Sequence, residues 1–501
     1  MRSDGAVPRL WIVAGFLALA ALCLPFADFQ TAGHDPWATL GRMALGFLRP
    51  DFSGIEQIAR AVALTVAFAV AGVALGGAAG LAMAPFYHLR PVRALAIALR
   101  SVHELFWALI LMQVAGISAL TGVLAIALPY AGIFAKVLAE YLDEADPRPA
   151  RLLGPDTDAL TRFLWARAPL VRRDMVNYAL YRVECGLRSS AVLGFVGLPT
   201  LGFQLDTVFR QGDYGAASAI MLIYVALIAS VRLWMRPVLA PLWLAASLAV
   251  LATVHHPPMA EGALLRFLTH DIVPAPIRNG DWAGLWPWLA MLMRQMILPG
   301  IAATIVVAQI ALVVTGLVAI ATMGLTVTRI AGRAGAMLGH LGLVVLRSFP
   351  EYMLAYLFMQ AFGPSMLPAI LALGLHNGAI IGHLLGRQAA GLTLRPDAPT
   401  GLTLWAWEYV PRLFGNFVAL VLYRWEIILR ETAIMGILGV ATLGFYLDDT
   451  LSQLRMDRAV VILIATGLLS AAVDALSQWL RRMQGARSGP QIRAALDAAA
   501  I

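Results

Sequence analysis

The stretch YRVECGLRSSAVLGFVGLPTLGF, from Tyr181 to Phe203, occurs a second time as YRWEIILRETAIMGILGVATLGF, from Tyr423 to Phe445. The two stretches align without a gap, and about half of their 23 positions are identical. An apolar segment that is long enough to span a bilayer and carries the same buried charges twice indicates a duplicated, functional membrane helix. The matched charged residues and glycines are Arg182 with Arg424, Glu184 with Glu426, Arg188 with Arg430, Gly194 with Gly436, Gly197 with Gly439, and Gly202 with Gly444.

A second repeated block lies upstream, where residues of 100–118 recur in 347–365. Its copies are 247 residues apart (347 minus 100), against 242 for the first block (423 minus 181). The chain is therefore predicted to be two homologous halves in tandem. The first half is residues 1–237 with its core at 60–237, and the second is residues 238–501 with its core at 298–482.

The composition indicates a membrane protein. The 501 residues are 60% hydrophobic and only 13% charged, whereas a soluble protein carries about 25% charged residues. Cys23 and Cys185 both lie in apolar segments, so no disulfide is expected. The only lysine, Lys136, is preceded by alanine and followed by valine, which excludes a standard ATP-binding P-loop in this chain.

The apolar runs predict an all-α polytopic membrane protein with about twelve transmembrane helices, arranged as two parallel six-helix repeats. We interpret the first run, Leu10–Phe26, as an uncleaved helix; the competing interpretation is a signal peptide. The predicted helices lie near residues 10–26, 60–84, 102–115, 117–139, 178–199, 215–236, 238–254, 298–323, 341–362, 366–386, 415–443 and 459–480.

Arginine counts predict the orientation. With both termini cytoplasmic, the inner segments hold 25 arginines and the outer segments hold seven. The predicted location is the bacterial inner (cytoplasmic) membrane. The two longer outer segments, 27–58 and 255–297, carry Trp, Pro and Phe residues, which fits interfacial helices or plain connecting loops equally well.

The charged residues of the repeated helix are spaced to lie on one face. Glu184 and Arg188, like Glu426 and Arg430, are four residues apart and can pair. Arg188 would lie near the membrane midplane, where a charge usually faces a partner or a water-filled path. The pairs are therefore either internal salt bridges that hold the bundle together or a gated positive lining for an anionic solute.

Other polar positions favour structural roles. Arg100 with Glu104 and Arg347 with Glu351 are i,i+4 pairs at the inner ends of helices. The repeated glycines favour close packing, with a gate as the alternative. His376 and His383 share a helix face, but no further ligands are evident, so no metal site and no catalytic residues are predicted. We interpret both histidines as polar residues inside the helix bundle.

The most polar stretch, residues 140–177, lies between the fourth and fifth helices. It contains Gly154 and Pro169, and the corresponding region of the second half contains Gly401 and Pro411. The stretch is either a segment that docks a soluble partner or a solvated connecting loop. On the docking interpretation, a bulky charge at Leu160 or Leu404 would weaken the partner's association.

Together these motifs resemble the permease subunit of phosphonate-type ABC importers. The family's Y-R-x-E-x-x-x-R helix with a Gly-rich end matches Tyr181–Gly202 and Tyr423–Gly444, and its R-S-x-x-E-x-x-x-A start matches Arg100–Ala108 and Arg347–Ala355. A late D-x-x-S-x-x-x-R appears as Asp474, Ser477 and Arg481. The sequence departs from the family because two permease copies are fused in one chain and the coupling loops lack the usual Ala pair.

The resemblance implies a transport subunit without enzymatic activity or a cofactor of its own. A separate ATPase pair would bind ATP and Mg²⁺ and dock at the loops containing Gly154, Pro169, Gly401 and Pro411. A solute-binding protein would deliver the solute on the outer side, and nucleic acid is not an expected partner. ATP-driven closure would rock the two halves between inward-open and outward-open states, and the solute would be a phosphonate, phosphate, phosphite or related oxyanion.

Two other functions remain as alternatives. A twelve-helix secondary transporter of a small anionic solute also has two six-helix halves, and the basic stretch from Thr328 to Arg333 is faintly similar to an inner-loop signature of that family. A membrane-embedded enzyme would require a metal or nucleophile constellation, and the repeats show none.

Overall fold

A computed structural model describes residues 6–31, 35–154, 156–254 and 261–483. These residues form helices joined by turns and contain no β-strand, which confirms the all-α prediction. The predicted cytoplasmic ends of the chain, residues 1–5 and 484–501, lie outside the described residues. In chain order the α-helices are α1 (Ala6–Cys23), α2 (Pro36–Leu48), α3 (Ile55–Met83), α4 (Arg90–Ser101), α5 (Glu104–Ala115), α6 (Ala119–Glu144), α7 (Arg148–Arg151), α8 (Ala159–Arg162), α9 (Ala168–Val192), α10 (Leu201–Arg210), α11 (Tyr214–Trp234), α12 (Ala240–Leu251), α13 (Ala263–Arg266), α14 (Ala275–Arg278), α15 (Leu285–Leu292), α16 (Leu298–Met323), α17 (Thr328–Ser348), α18 (Glu351–Phe362), α19 (Met366–Ala390), α20 (Gly401–Leu404), α21 (Val410–Ile437), α22 (Leu443–Ser452) and α23 (Met456–Met483).

The helices confirm a multi-pass membrane protein. In the described ranges, eight helices are long and apolar enough to cross a bilayer, or up to ten if each of two bent pairs counts as one span. Even the higher number is smaller than the predicted twelve, because α12 and α21 are not among these spans: α12 is short, and α21, predicted as 415–443, contains five charged residues. Helix α12, predicted as 238–254, has only 12 residues, and the predicted span 102–115 is one arm of a bent pair.

The predicted third helix of each half is interrupted at an equivalent point. Helices α4 and α5 meet at Val102 and His103 with a bend of 93°. Their counterparts α17 and α18 are separated by Phe349 and Pro350, again 247 residues later (349 minus 102). At the first break the His103 side chain accepts a hydrogen bond from the Leu105 N–H at 3.2 Å and caps α5. At the second, Pro350 precedes α18 and has no N–H to continue a helix.

The outer segments are helical in part. The first contains α2, in which Trp37 is 79% exposed. The second contains α13, α14 and the start of the long apolar stretch 285–326, with Trp282 and Trp286 exposed. Exposed tryptophans on short helices are typical of interfacial segments.

The chain forms two compact units whose bounds differ from those of the sequence halves. One unit comprises residues 1–42 and 268–501, and the other comprises residues 43–267. Helix α1 packs against α16 and α21, and α12 packs against α3. The first helix of each sequence half therefore lies with the core of the other half, an exchange that the repeat pattern does not reveal.

Glycines allow the central helix pair of each unit to approach closely. In unit 43–267, α3 presents Gly72, Gly76 and Gly80 to α6, and a Cβ at Gly76 would clash with the Ala127 carbonyl and Tyr130. In the other unit the glycines lie on the second helix instead, where Gly374 and Gly382 of α19 face α16. Small residues at a helix interface increase van der Waals contact, which is the main driving force for helix association in lipid.

Candidate functional site

The Gly-rich end of the repeated helix forms a tight turn in both units. Gly197 (φ 90°) and Gly439 (φ 95°) adopt the left-handed conformation that disfavours side chains. Gly202 packs against the Ala191 carbonyl, and Gly444 packs in the same way against Ala433. The glycines therefore close a turn between two helices of the same unit, which supports the close-packing interpretation over a gate.

A threonine from a neighbouring helix holds each turn. The Leu201 N–H donates to Thr65 Oγ1 at 3.0 Å, and the Leu443 N–H donates to Thr304 Oγ1 at 3.1 Å. These bonds satisfy the first amide of α10 and of α22, which would otherwise be orphan donors. The same device therefore fixes the end of the repeated helix in both units.

The predicted pair in the first repeat forms. Arg188 Nη2 donates to Glu184 Oε1 at 3.0 Å, and the two side chains are 23% and 11% exposed. Burial makes this pair expensive to break, because the remaining charge would be left without compensation. The pair sits on α9 between the tyrosine cluster described next and the glycine turn.

Arg182, which lies two residues before Glu184 on α9, is enclosed by tyrosines. Its Nε and Nη2 atoms donate to the Tyr178 hydroxyl at 2.8 and 2.6 Å. The rings of Tyr178, Tyr181 and Tyr130 lie 4.9, 5.3 and 5.8 Å from the guanidinium carbon, within cation–π range. This cluster was not predicted. Tyr178 lies one helical turn before Arg182, a spacing that could have indicated their contact, whereas Tyr130 comes from α6 and no local pattern connects it to Arg182.

A hydrogen-bonded chain links three helices of the same unit. Ser189 Oγ on α9 donates to Glu104 Oε1 on α5 at 2.6 Å, and the Tyr130 hydroxyl on α6 lies 3.3 Å from Ser189 Oγ. His103 Nε2 lies 3.4 Å from the other oxygen of Glu104. The carboxylate therefore bonds across helices. Arg100, its predicted i,i+4 partner, lies on α4 on the other side of the bend, so the two residues do not share a continuous helix as predicted.

The second repeat builds its polar network from different residues. On α19, Asn377 Nδ2 donates to Glu431 Oε2 at 2.9 Å, and Arg424 Nη1 donates to Asn377 Oδ1 at 3.2 Å. His376 Nε2 lies 3.7 Å from Glu351 Oε2. His376 is thus part of a polar network in the bundle, as predicted.

The late family motif lies beside the repeated helix. Ser477 Oγ donates to the Leu422 carbonyl at 2.6 Å, and Arg481 Nη1 donates to Ser477 Oγ at 2.7 Å. The carboxylates of Asp474 and Glu426 both attract the Arg481 guanidinium. Glu426 is therefore part of the charge network of α21 and α23, and Arg430 is half-buried one turn further along α21.

The predicted partner-docking regions share an unexpected geometry. Each has a four-residue helix, a π-helical turn and then a long helix with proline as its second residue. The π-helical turns are Phe163–Arg167 and Trp405–Tyr409, offset by 242 residues (405 minus 163). Pro169 and Pro411 occupy equivalent positions, and a residue without an N–H explains why regular α-helix cannot run through them.

Other predicted members of these regions differ. Gly401 begins α20 with a φ of 68°, whereas Gly154 is exposed and lies before α8, so the two glycines are not equivalent. Leu404 is fully buried, so its choice as a docking residue was wrong. The side chain of Leu160 lies outside the described residues. The exposed apolar residues of these regions include Leu164 and Leu402 and, at equivalent positions, Trp165 and Trp407, which are 79% and 77% exposed.

The two docking regions are anchored differently. Arg167 Nη2 donates to the Leu142 carbonyl at 2.7 Å in the first. In the second, the Glu408 carboxylate forms ion pairs with Nη2 of Arg395 at 2.9 Å and with Nη2 of Arg412 at 2.7 Å. The hydrogen bond to Glu408 and the charge of its carboxylate raise the pKa of Arg395.

These features define a helical membrane transport protein built from two repeats. The phosphate-import permease protein PhnE of Mycolicibacterium smegmatis is 26% identical to this chain over 459 residues, 85% of this chain and 84% of the relative. The phosphite transport system permease protein PtxC of Stutzerimonas stutzeri is 34% identical over 232 residues, 43% of this chain and 82% of the relative. The chain belongs to the family of permease subunits of phosphonate-type ABC transport systems.

The length of the alignments supports fusion of two permease copies. An alignment that takes 82% of PtxC uses less than half of this chain, whereas PhnE of M. smegmatis aligns over most of both proteins. No protein-family profile matches the chain, and no experimentally determined structure is detectably similar. The relatives are transport permeases and not enzymes.

Proposed function

We propose that this chain forms the membrane pathway of an ABC importer for a phosphorus oxyanion such as phosphate, phosphite or a phosphonate. The relatives' names supply the solute class. The observation that carries the coupling to a separate ATPase is the pair of exposed tryptophans, Trp165 and Trp407, which lie at equivalent positions of the two predicted docking regions. The π-helical turn alone does not mark a docking region, since further π-helical turns lie at Phe267–Asp271 and Met293–Ile297. Alternating access would expose the pathway to one side of the membrane at a time.

The two docking surfaces are defined here as residues 159–169 and 401–411. Each presents one large aromatic side chain, Trp165 or Trp407, on a segment fixed to its unit by an arginine. Exposed tryptophan anchors on a rigid element are typical of binding hot spots. ATP and Mg²⁺ would bind to that partner, and closure of two ATPase subunits would move both surfaces together.

The arginines of the repeated helix are the proposed solute contacts. Arg188 is held by Glu184 at 3.0 Å, and it retains 23% exposure. An oxyanion gains charge-assisted hydrogen bonds from arginine, while a neighbouring carboxylate keeps the binding weak enough for release. Arg430 is the matching residue of the second repeat, one helical turn after Glu426.

The membrane arrangement follows from the arginine bias. Both termini and both docking surfaces would face the cytoplasm of a bacterial cell, and a solute-binding protein would deliver the oxyanion on the other side. Arg182 with its three tyrosines would fix the middle of α9, so that α9 moves as a rigid body with its docking surface.

Reconstitution tests this proposal. The chain, its ATPase and its binding protein are placed in proteoliposomes, and uptake of labelled phosphate, phosphite and methylphosphonate is measured with and without ATP. We expect ATP-dependent uptake of at least one of the three. Uptake that needs neither ATP nor the binding protein would instead identify a secondary transporter.

A further inference from the structure

A polar cavity of about 420 Å³ opens beside the second docking surface. Three segments of one unit line it: the connection from α16 to α17, the loop after α19, and the last residue of the π-helical turn. The polar groups are the side chains of Thr326, Thr328, Arg329, Arg395 and Tyr409. A volume of this size lies within the range of small-ligand sites.

The charge of the cavity wall is positive. Arg329 and Arg395 both line it. Arg395 shares Glu408 with Arg412, and the charge of Asp397 also acts on Arg395. Two carboxylates are therefore opposed by three arginines, Arg329 included. Within residues 261–483, no carboxylate pairs with Arg329.

Two kinds of neutral donor complement the arginines. Thr328 contributes a hydroxyl group to the cavity. The N-terminal amides of α17 do not add an anion site, because α17 breaks at Gly332 (φ 72°) and the first helical piece, residues 328–331, is too short to have an appreciable dipole. Burial raises the pKa of Tyr409, so its phenol stays protonated at neutral pH and can donate a hydrogen bond. The positive charge of Arg329 acts on the same phenol.

We propose that this cavity is a binding site for a small tetrahedral oxyanion, inorganic phosphate or a phosphonate, taken from the side of the docking surfaces. Guanidinium groups and hydroxyls are donors that such an anion uses in proteins. The site is separate from the arginines of the repeated helix. It also gives a role to the basic stretch from Thr328 to Arg333, which the pathway does not use.

Occupancy of the cavity would regulate transport, an effect that rests on the proposed coupling function. A bound anion would connect three parts of the unit: the start of α17, the loop that contains Arg395, and Tyr409, the last residue of the π-helical turn. A ligand stabilises the state that binds it, so the anion would hold the second docking surface in its present position. Accumulated phosphate on the inner side would therefore slow further import.

Calorimetry on the full chain in nanodiscs, without ATPase or binding protein, tests the site apart from the transport function. Inorganic phosphate should bind the wild-type chain, and methylphosphonate should compete with it. Arg329→Gln should weaken the phosphate Kd by about tenfold or more, the loss of a charge-assisted contact. Thr328→Val should weaken it less.

Arg333→Gln is the matched control, since it removes an exposed arginine of the same helix that does not line the cavity. Its phosphate Kd should equal that of the wild type. An unchanged thermal midpoint of Arg329→Gln would show that the variant is folded. Absence of phosphate binding to the wild type, equal loss in Arg329→Gln and Arg333→Gln, or binding of ATP without phosphate would each overturn the proposal.

A second measurement addresses the regulation. Proteoliposomes loaded with phosphate should import more slowly than those loaded with chloride, and Arg329→Gln should abolish the difference while keeping its rate in chloride. If loading slows both proteins equally, the anion does not act through this cavity, even where import itself is ATP-dependent.

Discussion

Ser189 and Glu431 hold the same position in the two repeats (431 minus 189 is 242), and each bonds to a buried polar side chain on the neighbouring helix. Ser189 lies 3.3 Å from the Tyr130 hydroxyl, whereas Glu431 accepts from Asn377 at 2.9 Å. Tyr130 and Asn377 are themselves equivalent residues (377 minus 130 is 247). Both partners of this contact therefore differ between the repeats. The first repeat has two neutral hydroxyls, and the second has an amide and a carboxylate.

The paired exchange predicts different costs for truncation. Asn377→Ala would leave the Glu431 carboxylate without its buried amide, at a cost of about 1–3 kcal/mol. Tyr130→Phe would remove one long contact of 3.3 Å, at about 1 kcal/mol or less. Thermal unfolding in detergent compares the two variants. Equal losses would show that the two networks contribute alike.

The pair of Arg188 and Glu184 allows structural and transport roles to be separated. Arg188→Gln leaves a buried carboxylate, so it should destabilise the protein by about 3 kcal/mol or more, and Glu184→Gln/Arg188→Gln should restore most of that stability. If Arg188 contacts the solute, the double variant will be stable and hydrolyse ATP with its partners, yet will import at a rate several-fold lower. Normal import by the stable double variant would limit the pair to a structural role.

The same test extends to the second repeat. Arg430→Gln added to the stable Glu184→Gln/Arg188→Gln variant should lower import further while the complex remains assembled. Arg→Lys at both positions should restore part of the rate if charge alone matters, and little if the planar guanidinium is needed. Uptake of labelled oxyanion and co-purification of the ATPase are the two measurements.

The exposed tryptophans should carry the contact with the ATPase. Trp165→Ala and Trp407→Ala are each expected to reduce ATPase co-purification by tenfold or more, a loss of about 2 kcal/mol typical of an aromatic hot spot. Neither change should lower the thermal midpoint, because both side chains are more than three-quarters exposed. Trp37→Ala provides the control, since Trp37 is 79% exposed on an outer segment. Undiminished co-purification of the Trp165→Ala/Trp407→Ala chain would rule out these surfaces.

The glycine turn should tolerate no side chain. Gly202→Ala and Gly444→Ala would each force a Cβ into a backbone carbonyl, of Ala191 and Ala433 respectively. Because backbone cannot move aside as a flexible side chain can, we expect losses of about 3 kcal/mol or more and poor expression. Gly41→Ala, where no atom lies within 4 Å of the new Cβ, should be neutral or slightly stabilising.

Much of this architecture could be predicted from residue patterns. Apolar length fixed most spans, and the duplicated charges predicted both the family and the Glu184–Arg188 pair, since i,i+4 spacing is a local property. Pro169 and Pro411 were matched correctly as equivalent residues after the two π-helical turns, and their role in docking stays a prediction. Local chemistry and helical periodicity were sufficient in these cases.

Features that depend on tertiary contacts could not be read in the same way. The 93° bend at Val102 and His103 requires a side chain to replace backbone partners. Leu404 was chosen as a docking residue because the sequence of a short polar region does not indicate which of its apolar side chains are buried. The Asn377–Glu431 bond joins residues 54 apart in sequence, and no spacing rule connects them.

The exchange of the first helices has an evolutionary consequence. Because α12 packs on α3 and α1 packs on α16 and α21, a change in one half is compensated by a residue encoded in the other. Co-variation among relatives should therefore cross the repeat boundary at these contacts. A chain cut at residue 237 would yield two fragments, each of which supplies a helix that packs on the core of the other. Each fragment should therefore accumulate only when the other is co-expressed.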